Sequence, residues 1–196
     1  MKALIDTDAF CKLGGCGLLD VVVRALGAEL TETKRLAALP HMLRKGALAR
    51  RLGSLREPLQ RLANGLDAAP EASATWLDRI LAGANDLDPG EAQLLAVTAD
   101  HPAVFLITGD KRAVLATGNV NGLPQAISGR VVTVEASLIA ASGMIGINEV
   151  KRRVQPVLEL DTALRACFAS TDSLEGLKNY QADLVNRAPA GLLWSP

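Results

Sequence analysis

Two short apolar runs in this chain each stop abruptly on acids, and that pattern constrains the fold more than any other feature. The first, Ala3, Leu4 and Ile5, ends on Asp6, with Asp8 two residues further on. The second, AVFLI at 103–107, ends on Thr108, Gly109 and Asp110. An apolar run without polar alternation reads as a strand buried on both faces, the habit of parallel sheets. A third run, RVVTV at 130–134, has the same character, and a weaker one lies at 27–31. Between the runs the apolar residues recur at helical spacing, as in LLDVVVRAL after a glycine-rich turn at 14–17. Strands alternating with helices predict an α/β fold, a three-layer α/β/α sandwich around a central parallel sheet. From residue 148 onward the pattern is helical only. The expected organisation is one α/β domain at 1–145 and a helical extension at 146–196 packed on it.

In open α/β sheets ligands gather beyond the carboxyl ends of the strands, where Asp6, Asp8 and Asp110 would stand. Asp6 and Asp8, two apart on an extended segment, leave the backbone on the same side. A fourth acid enters from NDLDPGEAQLLAVTAD at 85–100. Asp88, Pro89 and Glu91 have the form of a helix start: a cap, a proline in the first turn and an acid at the third position. Glu91 therefore reads both as the capping partner of Asp88 and as a site acid. If the two acid-ended strands are neighbours, Asp6, Glu91 and Asp110 converge. Unpaired carboxylates at close range raise one another's pKa values. A hard divalent cation, Mg2+ or Mn2+, relieves that repulsion and suits oxygen ligands. This is the chemistry of metal-assisted phosphodiester hydrolysis. Neither His41 nor His101 accompanies a nucleophile motif, so a Ser–His or Cys–His mechanism has no basis.

Overall charge is balanced, 21 Lys and Arg against 21 Asp and Glu, but its distribution is not. At 34–61 Lys34, Arg35, Arg44, Lys45, Arg50, Arg51, Arg56 and Arg61 face the single acid Glu57. Leucines recur through the same stretch, so it reads as amphipathic helix, to about residue 63, broken near Pro40, Gly46 or Pro58. Such a basic face is either a solvated surface or a rim for a phosphate backbone. Aromatic residues make up only 3% of the chain, too few for a base-stacking platform. Cys11, Cys16 and Cys167 lack partners at zinc-ligand spacing. Asp6 and Asp8 interrupt any early leader, and no stretch has the ~20 apolar residues of a membrane span. Reduced thiols and a cytoplasmic location are expected.

LIDTDAF at the start, DPGEAQLLAVTA in the middle and FLITGDKRA after it, in that order, resemble the PIN-domain ribonucleases across residues 2–142. The resemblance implies a PIN-like fold, a Mg2+ or Mn2+ site and endonucleolytic cleavage of RNA. By position it makes Asp6, Glu91 and Asp110 the catalytic, metal-binding acids, with Asp8 an extra ligand. Thr108 is their polar neighbour, and Lys111, Arg112, Arg44 and Lys45 would position the RNA backbone. It also brings in an antitoxin-like protein partner, while the leucine-rich helical surface points to self-association as a homodimer. One family acid, on the helix after the second strand, has no counterpart in LAALPHMLRK, where Pro40 and His41 stand; Glu29, Glu32 and Glu57 are the nearest acids. Two alternatives stay open. One is a PIN-like binding or assembly module with a degenerate site. The other is a haloacid-dehalogenase-like phosphatase using Asp6 and Asp8, although Phe10 stands where that family has Thr or Val.

Overall fold

The structure is a computed structural model that describes residues 1–84 and 87–196; Asn85 and Asp86, which open the stretch read above at 85–100, lie outside the described residues. Strands β1 (Ala3–Ile5), β2 (Thr33–Arg35), β3 (Phe105–Thr108) and β4 (Val131–Thr133) form a parallel sheet in the order β2-β1-β3-β4. β1 lies directly beside β3, with Ala3 opposite Phe105 and Ile5 opposite Ile107. The two acid-ended runs are therefore neighbours, in register, with their carboxyl ends level.

The period-2 alternation of a strand sends successive side chains to opposite faces. Ala3, Ile5, Ile107 and Val132 join one core; Leu4, Leu106 and Val131 join the other. Each fully buried Leu or Ile here contributes about 1.5–3 kcal/mol of transfer free energy. Both faces are apolar, so both need helical cover.

Thirteen α-helical segments among the described residues supply it. A short turn α1 (Thr7–Ala9) runs into a π-helical stretch at Phe10–Gly14, followed by α2 (Leu19–Ala25). The basic segment folds as α3 (Leu39–Arg44), α4 (Ala47–Arg51) and α5 (Arg56–Asn64). Then come α6 (Ala74–Gly83), α7 (Pro89–Asp100), α8 (Lys111–Ala116) and α9 (Leu123–Ala126). The last four are α10 (Val134–Ile145), α11 (Ile147–Val154), α12 (Thr162–Ala169) and α13 (Ser173–Arg187). Ile80 of α6 and the apolar residues of α7, α8 and α9 cover the Leu4 face. α2, α3, α5, α10, α11 and α12 cover the Ile5 face, which completes three layers.

Three expectations shift. The second strand lies at Thr33–Arg35, not at 27–31. Leu30–Glu32 instead forms a 3-10 turn, closed by Glu32 accepting from the Glu29 N–H at 3.1 Å and by Glu29 capping in return. As an edge strand bearing Lys34 and Arg35, β2 lacks the apolar run that marks the others. Pro40 and Pro58 break nothing: each sits in the first turn of its helix, where an N–H has no intrahelical partner. The breaks fall at Gly46 and at Gly53, whose φ values of +94° and +53° suit glycine. Finally, the C-terminal tail returns to the sheet. Leu193 bridges Val131 beside β4, and the Trp194 N–H donates to the Val131 carbonyl at 2.9 Å. Among the described residues no helix is long and apolar enough to cross a membrane.

Candidate functional site

Asp6 is the first residue past β1 and caps α1. Its Oδ1 accepts from the Ala9 N–H at 2.6 Å, while its Oδ2 accepts from the Thr108 hydroxyl at 2.5 Å and the Gly109 N–H at 3.0 Å. The residue is only 6% exposed. Burial pushes it up from the usual 3.8 to about 6, against the hydrogen bonds from Thr108 and Ala9 that favour its charge. Thr108 also accepts from the Asp110 N–H at 3.1 Å, so one hydroxyl ties the end of β1 to the turn after β3. Asp110 in turn caps α8, accepting from the N–H groups of Arg112 and Ala113 at 2.8 and 3.0 Å.

Glu91 arrives from the first turn of α7. The capping box is complete: Asp88 accepts from the Glu91 N–H at 2.8 Å, and Glu91 Oε2 accepts from the Asp88 N–H at 3.0 Å. The same Glu91 carboxyl also hydrogen-bonds Asp110. Burial, reinforced by that neighbour, pushes Glu91 from 4.5 up to about 7, while the Asp88 N–H pulls the other way. Asp110 moves oppositely. Although its own burial works to raise it, the Ala113 N–H, the bond from Glu91 and Arg112 hold it below the ordinary value. Their mutual bond thus splits the pair, holding Glu91 high and Asp110 low. One geometry accommodates both readings of Glu91, as a cap and as a cleft acid.

Asp8 also faces the site, held by an ion pair from Lys12 one turn on. The Lys12 ammonium is buried and pairs at the same time with Asp161, the cap of α12. Burial alone would lower Lys12; Asp8 and Asp161 outweigh it and hold the ammonium charged. Gly109 packs against this acid. A Cβ there would stand 2.0 Å from Asp8 Oδ2, so a side chain at 109 would displace the Asp8 carboxyl.

Asp6, Asp8, Asp88, Glu91 and Asp110 all line one cleft of about 570 Å³. Leu36, Ala37, Ala38, Met42 and Leu48 add apolar lining to the same cleft. Arg51 of α4 is the cation among the described residues that line it. Arg44 and Lys45 stand exposed at the end of α3, away from the cleft lining, and Arg112 is exposed beside Asp110 at 3.3 Å. Lys111 turns inward instead. Its ammonium lies 2.7 Å from Glu135 Oε1, poorly angled for a hydrogen bond, and 4.2 Å over the Tyr180 ring.

Sequence reasoning named Asp88 only as a cap and passed over Arg51, Lys12 and Asp161 as site residues. The i,i+4 spacing of Asp8 and Lys12 was a legible signal. Asp161 had none, since its partner comes from the other end of the chain. Among the described residues no three His, Cys, Asp or Glu side chains are already arranged around one point as metal ligands. No family model, curated protein or solved structure matches this chain.

Proposed function

We propose that the chain is a Mg2+- or Mn2+-dependent endoribonuclease whose metal-holding acids are Asp6, Glu91 and Asp110, with Asp8 beside them. The observation that carries this reading is the convergence of these acids, from three separate parts of the chain, on one cleft. The donor set fits a hard cation. It is rich in carboxylate oxygen, and burial together with neighbouring acids leaves Asp6 and Glu91 with raised pKa values that a cation would relieve. Cys11, which also lines the cleft, is pushed up to about 12, first by burial and then by Asp8, so it offers no thiolate to a soft metal.

When bound, the ion lowers the pKa of a water and offsets charge on a phosphate. The chain's own residues do the rest. Thr108 and the Ala9 and Gly109 N–H groups fix the Asp6 carboxylate, and the caps of α7 and α8 aim Glu91 and Asp110 inward. Arg51, in the lining of the same cleft, would meet a phosphate that enters it, and the other exposed cations of α3–α5 would add a positive rim.

A labelled, mixed RNA pool incubated with Mg2+ or Mn2+ tests the reading, with wild type beside Asp6→Asn and Asp110→Asn. Metal-dependent cleavage by wild type that falls at least about 100-fold in both variants supports it. RNA bound but left uncut by wild type points to the binding-module alternative and overturns the enzyme.

A further inference from the structure

We propose that Asp161 and Lys12 are positioning residues that hold Asp8 toward the cleft, which makes the C-terminal helices a working part of the site. This rests on the nuclease reading above. Lys12 does not line the cleft, yet its buried ammonium sits between the carboxylates of Asp8 and Asp161 and pairs with both. Two of the three partners are anchored independently. Asp161 caps α12, its Oδ1 accepting from the Ala163 and Leu164 N–H groups at 2.7 and 3.0 Å, which leaves Oδ2 for Lys12. Lys12 belongs to the π-helical segment Phe10–Gly14, packed within the core. Asp8 is the third. Its side chain is 34% exposed and faces the cleft, boxed by Lys12 on one side and by the bare backbone of Gly109 on the other.

A carboxylate aimed this way is directed by an ammonium that is itself shared with the cap of α12, a helix remote from Asp8 in the chain. Groups that orient metal ligands typically carry 10- to 100-fold of metal affinity.

The test is a Mn2+ titration read by electron paramagnetic resonance of the free ion, on wild type, Asp161→Asn, Asp8→Asn and the double variant. Asn still caps a helix, so Asp161→Asn removes the charge and spares α12. The expected result is an affinity about tenfold weaker in Asp161→Asn. In the Asp8→Asn background the same change should cost nothing further, because its effect passes through Asp8. Asp161→Glu, which restores the charge, should recover part of the loss. Lys12→Arg, which keeps the charge but not the point geometry, should weaken Mn2+ only while Asp8 is present; it carries the test if Asp161→Asn does not fold. Wild-type affinity in Asp161→Asn, or losses that simply add in the double variant, would overturn the proposal. A wild type that takes up no Mn2+ overturns the nuclease reading itself, and the positioning role with it.

Discussion

At Glu91 one carboxyl does two jobs, accepting from the Asp88 N–H and hydrogen-bonding Asp110. The pH dependence is set by the direction of its shift. Folding raises Glu91 from 4.5 to about 7, so the folded chain binds this proton more readily than the unfolded one. The stability it contributes is complete below about 4.5 and is lost as pH rises through about 7. Asp6, raised from 3.8 to about 6 chiefly by burial, adds a loss of the same sign in a lower window, and Asp110, held low, opposes both. Subtracting a variant isolates the coupled Glu91–Asp110 pair from the rest. In urea unfolding at a series of pH values, wild type should lose stability relative to Glu91→Gln between pH 4.5 and 7. A difference that stays flat or rises across that window would overturn the raised Glu91 pKa. Asp6 and Asp110 were legible because each ends an apolar run and caps the helix after it, both local events. The dual role of Glu91 was legible only by half, since its bond to Asp110 depends on how α7 meets α8.

The basic helices α3, α4 and α5 pose a question at the scale of elements. Lys34 pairs with Asp67 at 2.5 Å, and Arg35 donates to the carbonyls of Ala63 and Leu36, so these two cations serve the fold. Arg44, Lys45, Arg50, Arg51, Arg56 and Arg61 remain exposed. If they track an RNA backbone, binding weakens with salt in proportion to the phosphates neutralised. Replacing Arg44, Lys45 and Arg50 by Gln should flatten the log–log salt dependence of single-strand binding by about 0.7 for each phosphate no longer neutralised. An unchanged slope in filter binding would make this a solvated face. The helical character of this stretch was readable from its leucines, but Gly46 was one of three candidate breaks, and the turn at Gly53 and the strand at Thr33–Arg35 were not anticipated. Which cation would reach the cleft was not. Arg51 does and Arg44 does not, because the turn at Gly46 reorients α4 against α3.

For the molecule as a whole, the segment from residue 146 onward is bound into the fold by contacts spread along its length. α13 packs along α10, Asp161 holds Lys12, and Leu193 and Trp194 pair beside β4. Deleting 146–196 strips the apolar cover from α10 and unpairs an edge strand, a recognised route to aggregation. The truncated chain should therefore lose cooperative unfolding by circular dichroism and elute as aggregate. A soluble product melting like wild type would instead make 1–145 an independent domain. The parallel sheet, the positions of its acids and the capped start of α7 were all present in the sequence, because apolar runs, caps and turns are encoded within a few residues. The edge strand β2, the adjacency of β1 and β3, and the bridge from Asp8 through Lys12 to Asp161 were decided only by the tertiary structure. Each of these depends on packing between segments remote in the chain, and burial of apolar surface, which drives that packing, has no direction that a local pattern records.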